Sequence, residues 1–145
     1  MPVPPLTRID HVGIACRDLT AKIEFYTAVF GLTVVSREIN AEQGVDEAML
    51  TVNDSAAGPS YIQLLAPLAP DTPVGRFLDR RGEGIHHVGY GVADIAAALD
   101  AIGAAGVRLL DSRPRHGSMG AAIAFLHPAD VGGVLTELVQ AAGRG

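Results

Sequence analysis

Ile9-Asp10-His11-Val12-Gly13 and Ile85-His86-His87-Val88-Gly89 are two copies of one phrase, and each keeps a histidine two residues before a glycine. The agreement continues outward from both. Asp18-Leu19-Thr20-Ala21 opens an apolar-periodic run after the first copy, and Asp94-Ile95-Ala96-Ala97 opens one after the second. Farther on, Gln63 interrupts the apolar run Tyr61-Ile62-Gln63-Leu64-Leu65, as Glu137 interrupts Leu135-Thr136-Glu137-Leu138-Val139. Element order, helix caps and polar interruptions all recur, so the chain reads as a duplicated unit. The period is too long for a solenoid.

Residues 8–16 alternate and are rich in β-formers, which predicts a strand. Asp18 is a good N-cap, Ile23, Phe25, Tyr26, Val29 and Phe30 follow at helical spacing, and Gly31 stops the helix. Strands are expected at about 32–38, 46–53 and 60–66, with turn signals at Asn53-Asp54-Ser55 and Gly58-Pro59. A connector at 67–83 carries Pro67, Pro70 and Pro73, then a short amphipathic helix through Val74, Phe77 and Leu78. The second module repeats the order: strand 85–92, helix from Asp94 to about Ala105 with Gly106 as stop, then strands near 107–111, 122–127 and 133–140. The Gly-rich segment from Arg115 to Gly120 reads as a flexible loop near a site. The expected fold class is α+β, a single domain over 1–145. Two paired βαβββ modules, about 8–66 and 84–140, would form a curved mixed sheet around a cleft.

Nearly half of the 145 residues are apolar and 19% are charged, ample for a buried core and unlike a disordered chain. A formal charge of −5 argues against a general nucleic-acid binder. No apolar run approaches the ~20 residues of a membrane span. Met1-Pro2-Val3-Pro4-Pro5 lacks the pattern of a signal peptide, and the single cysteine, Cys16, fits a reducing compartment, so the expected location is cytoplasmic. Cys16 lies in a strand-like run and reads as a small core residue.

Strand parity places Ile9, His11 and Gly13 on one face, and Ile85, His87 and Gly89 on one face of the second copy. The same parity selects His87 over His86. Gln63 and Glu137 each point to one face of an otherwise apolar strand, where a carboxylate is costly unless a cation compensates it. Any one of these four residues alone reads as a hydrogen-bonded core residue; four at repeat-equivalent positions read as metal ligands. Two imidazoles, an amide oxygen and a carboxylate suit Co²⁺, Mn²⁺, Ni²⁺, Fe²⁺ or Zn²⁺. With one anionic ligand the site would keep positive charge, which favours a substrate that chelates through two oxygens and passes through an enolate. Glu47 shares parity with Met49 among apolar residues, where desolvation favours a general base, although most acidic clusters at strand entrances are solvated turns.

These phrases, together with Asn40-Ala41-Glu42-Gln43-Gly44-Val45, Gln63-Leu64-Leu65-Ala66-Pro67, Gly82-Glu83-Gly84-Ile85-His86-His87 and Gly132-Gly133-Val134-Leu135-Thr136-Glu137-Leu138, resemble the vicinal oxygen chelate superfamily, and within it the methylmalonyl-CoA epimerases. The similarity spans about residues 8–140. It implies that His11, Gln63, His87 and Glu137 bind a divalent metal, Co²⁺ foremost, and that Glu47 is the acid/base residue. The implied reaction is epimerisation of (2R)- and (2S)-methylmalonyl-CoA, with Glu42, Glu137 or a bound water as the second acid. A homodimer and an acyl-CoA partner are implied as well, without nucleic acid or membrane. Gln43, Arg113, Arg115 and Ser118 are the substrate-binding candidates, the arginines for CoA phosphates. His116 and His127 read as loop or capping residues, and Arg80 and Arg81 as solvated charges at a helix end.

The chain departs from the epimerase pattern at Met119, Ala122 and Ala129, where a glycine or a basic residue is common. An ethyl-branched malonyl thioester is therefore an alternative substrate. A lyase of the glyoxalase I type would use a more anionic ligand set. An extradiol dioxygenase would lack the ligand at Gln63, and a binding or resistance protein on the same scaffold would have no need of Glu47.

Overall fold

The structure is a computed structural model that describes residues 6–52 and 60–143. The predicted turn at Asn53-Asp54-Ser55 and Gly58-Pro59, and the N-terminal Met1 to Pro5, lie outside the described residues. Among the described residues, eight strands and three α-helices occur in the order β1 (Arg8–Ala15), α1 (Leu19–Phe30), β2 (Thr33–Asn40), β3 (Val45–Thr51), β4 (Tyr61–Pro67), α2 (Pro73–Arg81), β5 (Gly84–Gly91), α3 (Ile95–Ala104), β6 (Arg115–His116), β7 (Ala122–Leu126) and β8 (Thr136–Gln140). The chain divides into two compact units, residues 11–86, and residues 1–10 with 87–145.

In the first unit the strand order is β2-β3-β4-β1, with β4 parallel to β1 and the other pairs antiparallel. One sheet face carries Cys16, Ala48, Leu50 and Leu64, covered by α1 through Leu19, Ile23 and Tyr26. The other carries Ala15, Val45 and Leu65, covered by Val74, Phe77 and Leu78 of α2. Asp18 caps α1 by accepting from Ala21 N at 3.0 Å, and Gly31 ends it in the left-handed region, as the sequence predicts. Only part of the α1 apolar stripe reaches the core: Phe25, Val29 and Phe30 stay exposed, their side of the helix held by edge-to-face rings.

In the second unit the order is β5-β8-β7-β6, again with one parallel pair, β5 to β8. Val92, Ala124, Leu126 and Leu138 pack under Ile95, Ala98, Leu99 and Ile102 of α3. The strand expected at 107–111 is reduced to one bridge, Leu109 to Leu126. His127 N and Leu110 N still bond across to Arg108 O and Phe125 O, but side chains have taken other partners of the ladder. Arg108 N donates to Asp130 Oδ2 at 2.9 Å, and Phe125 N donates to Asp111 Oδ2 at 3.0 Å. Pro114 brings no N–H, and the paired edge of β7 passes to Arg115–His116. The last strand starts at Thr136 rather than near 133, because Gly132 and Gly133 have φ of 80° and 87°.

Gly117 packs its α-carbon against Ile123, and a Cβ there would stand 2.6 Å from Ile123 Cγ2. Gly117→Ala is expected to cost about 1–3 kcal/mol by overpacking a buried wall, read as a lower urea midpoint at unchanged slope. Cys16 is fully buried, as expected of a core residue. Burial, with the charge of Glu83 adding to it, pushes its thiol from 9.0 up to about 11. The folded protein keeps that proton where the unfolded chain releases it. The resulting stability is complete below about pH 9 and is lost as the pH rises through about 11. Native protein is expected to resist thiol alkylation at about pH 8, where little thiolate forms, and denatured protein to react at once.

Candidate metal centre and acid–base pair

Register repeats the same local pattern in each unit. Gly13 of β1 lies beside Gln63 of β4, two residues on from His11, and Gly89 of β5 lies beside Glu137 of β8, two residues on from His87. Partners in a parallel ladder share a face, so each histidine and its Gln or Glu project together over a bare glycine. All four side chains are buried among strands that are otherwise apolar. His87 Nε2 stands 3.8 Å from Glu137 Oε1, and its ring meets the Phe125 ring edge-on at 5.5 Å. His87 and Glu137 lie on adjacent strands of one unit, and His11 beside Gln63's strand in the other. Two imidazoles and a carboxylate are a fitting donor set for a divalent first-row cation.

Glu47 sits in β3 with 3% exposure, and Gln63 beside it in β4 with 5%. The Gln63 amide nitrogen donates to Glu47 Oε1 at 2.6 Å. The amide oxygen, also buried, forms the other prong of the fork. Glu47 is therefore a strand residue on the Gln63 face, not a solvated turn. The turn belongs to Glu42 and Gln43, exposed and half-buried in the β2–β3 connection. Asn40 shapes that connection by accepting from Gln43 N at 3.1 Å, and Gly44 has φ of 72°. Sequence reasoning passed over Glu38, which lies directly opposite Glu47 in β2, and Phe125, which lies opposite Glu137 in β7. Alternation along β2 and β7 would have flagged both faces, but not the cross-strand register.

The duplication is incomplete at one place. Met49 faces Gln63 and Glu47 lies two residues before it; Phe125 faces Glu137 and Ile123 lies two residues before it. The counterpart of the carboxylate Glu47 is thus the aliphatic Ile123, packed with Ala121, Val139 and Phe125.

The substrate-binding candidates sit at loops and edges. Arg113 is exposed. Arg115, half-buried in β6, pairs with Asp111 at 3.4 Å. Ser118 opens a single turn of 3-10 helix, and Met119 after it holds a left-handed φ of 56° without being glycine. Such a conformation costs of order 1 kcal/mol, and it falls at a position where the chain departs from the epimerase pattern. His127 caps the turn after β7, accepting from Ala129 N at 3.2 Å. His86, the histidine that parity rejects, lies edge-on to Phe77, and burial holds its imidazole down at about 4.

The comparisons with known proteins agree with this geometry. The model of the glyoxalase/bleomycin resistance protein/dioxygenase superfamily matches residues 10–125. The ethylmalonyl-CoA/methylmalonyl-CoA epimerase of Cereibacter sphaeroides is 38% identical over 135 residues, 92% of this chain and 97% of that protein. A methylmalonyl-CoA epimerase solved in complex with methylmalonyl-CoA and NH4+ is 54% identical, covers 96% of this chain and 97% of its own, and has a TM-score of 0.91. The methylmalonyl-CoA epimerase of Mycobacterium tuberculosis is 42% identical, with 98% and 93% covered and a TM-score of 0.90. A repeated His-x-Gly strand with a polar residue beside each glycine, matched at this coverage, leaves one assignment: the chain belongs to the glyoxalase/bleomycin resistance protein/dioxygenase superfamily, in the family of the methylmalonyl-CoA epimerases.

Proposed function

We propose that the chain acts as one catalytic domain that interconverts (2R)- and (2S)-methylmalonyl-CoA. The observation that carries this reading is Glu47, a carboxylate buried in an apolar strand and steadied by the Gln63 amide at 2.6 Å. A sequestering protein has no use for a buried base. In this reading His11, Gln63, His87 and Glu137 hold a divalent cation, Co²⁺ foremost and Mn²⁺, Ni²⁺, Fe²⁺ or Zn²⁺ otherwise. When bound, the cation supplies Lewis-acid stabilisation of the negative charge that develops on the substrate's carbonyl oxygen.

Glu47 takes the α-proton, its carboxylate oriented by the Gln63 amide that donates to Oε1. A second acid returns a proton to the other face of the α-carbon. Glu137 is buried while Glu42 is exposed on its turn, which favours Glu137 for that task. Apolar neighbours around Glu47 and Gln63 (Met49, Leu65, Val45) keep water from competing for the carbanion. Arg113 and Arg115 serve the CoA phosphates, and Gln43 and Ser118 the acyl end.

The Cereibacter relative's name supports a second acyl group, the ethyl-branched thioester. A second copy of the chain would cover Phe25, Val29 and Phe30, which supports a homodimer of twice 15.0 kDa by light scattering. No helix among the described residues is long and apolar enough to cross a membrane, and the one cysteine supports a cytoplasmic setting.

The deciding experiment is α-proton exchange in D₂O, followed by NMR on metal-loaded protein with methylmalonyl-CoA and, separately, ethylmalonyl-CoA. Deuterium is expected at the α-carbon of the methyl substrate. Binding of either thioester without exchange, under any of the five cations, would replace the epimerase reading by the binding-protein one.

A further inference from the structure

Gln63 and Glu47 occupy neighbouring strands of one unit, and their hydrogen bond is buried. The two partners differ in kind. An ionised carboxylate only accepts, whereas a primary amide has two unlike ends, an NH₂ that donates and an oxygen that accepts. At 2.6 Å only the nitrogen end of Gln63 can face Glu47, since the flipped amide would press oxygen against oxygen. Cations bind the oxygen end alone. Whatever fixes the nitrogen therefore fixes the ligand.

The geometry points to a second task for Glu47: it is the positioning residue that holds the Gln63 amide nitrogen-inward, so that the amide oxygen is presented to the cation. This inference rests on the metal reading above and deepens it, joining base and metal ligand through one bond. Glu47→Gln removes the discrimination, because a glutamine donates and accepts and so tolerates either flip. Glu47→Asp keeps the charge but is one methylene too short to reach the amide. A carboxylate at position 63 has two equivalent oxygens and needs no orientation, so Gln63→Glu is the background in which Glu47 should cease to matter to the metal.

The test is calorimetric titration of the full chain with Co²⁺ alone, no substrate present. The proteins are the parent, Glu47→Gln, Glu47→Asp, Gln63→Ala, Gln63→Glu and the two double variants that join a Glu47 change to Gln63→Glu. Partners of this kind typically contribute 10–100-fold in metal affinity. Glu47→Gln and Glu47→Asp are each expected to weaken Co²⁺ binding by about that factor with glutamine at 63. With glutamate at 63 they should leave it unchanged or tighter. The Co²⁺ visible spectrum of Glu47→Gln should approach that of Gln63→Ala, as loss of one oxygen ligand requires. Equal weakening by Glu47→Gln in both backgrounds would assign the effect to lost negative charge and overturn the positioning role. So would undiminished affinity in both Glu47 variants. A parent that binds no Co²⁺ or other divalent ion refutes the metal reading itself, a result distinct from either.

Discussion

Glu47→Gln is expected to lower the rate of α-proton exchange by about 10²–10⁴-fold at saturating cation, the usual range for removing a general base. The change is nearly isosteric, and the replacement amide can still bond Gln63, so the strand and its burial stay as they are. The loss should fall on kcat, with KM for methylmalonyl-CoA little changed, because under the proposed function the residue acts on the proton rather than on the CoA portion. Saturating cation matters, since the same substitution is expected to loosen the metal. A variant that exchanges the α-proton at the parent rate with its metal site full would remove Glu47 from the chemistry.

The second large effect concerns charge. Among His11, Gln63, His87 and Glu137, only Glu137 is anionic, and it is buried 3.8 Å from His87. Glu137→Gln keeps the shape and an oxygen donor but, in the proposed site, leaves the cation with neutral ligands alone. Cation affinity is expected to fall by roughly 100-fold or more, beyond the loss that an outer partner gives. Thermal unfolding offers a readout independent of turnover. A cation at about 100 times its Kd stabilises the folded parent by about 2.7 kcal/mol, and the variant at the same concentration should gain little. Chelator should erase the parent's gain and its exchange activity together, and added Co²⁺ should restore both. Equal metal-dependent shifts in parent and variant would place the cation elsewhere.

Much of this was legible in the residues, for a reason that lies in strand geometry. Period-two alternation assigns a face without knowledge of the neighbours, so His11, His87, Gln63 and Glu137 could be placed on their faces from the chain alone. Capping is equally local, which is why Asp18 and Asp94 mark their helices correctly. What escaped depended on partners distant in sequence. The expected strand at 107–111 shrinks to a single bridge as Asp130 and Asp111 take up Arg108 N and Phe125 N, and neither contact has a local signature. The exposed side of α1 follows the same rule, since helical spacing shows that a stripe exists and not how much of it is covered. Glu47 was ambiguous in isolation, and its bond to Gln63, across the β3–β4 register, is what separates it from the acidic turn it follows.

Under the proposed function the two halves repeat their ligands but not their base: where one carries Glu47, the other carries Ile123. A thioester that offers two oxygens could be seated in either of two senses by a His-Gln and His-Glu set. Only one of those senses would bring the acidic carbon to Glu47; the other would offer it to the Ile123 hydrocarbon. Under the proposed function, divergence after duplication has thus given the site a handedness, so that a substrate bound backwards is held but not turned over.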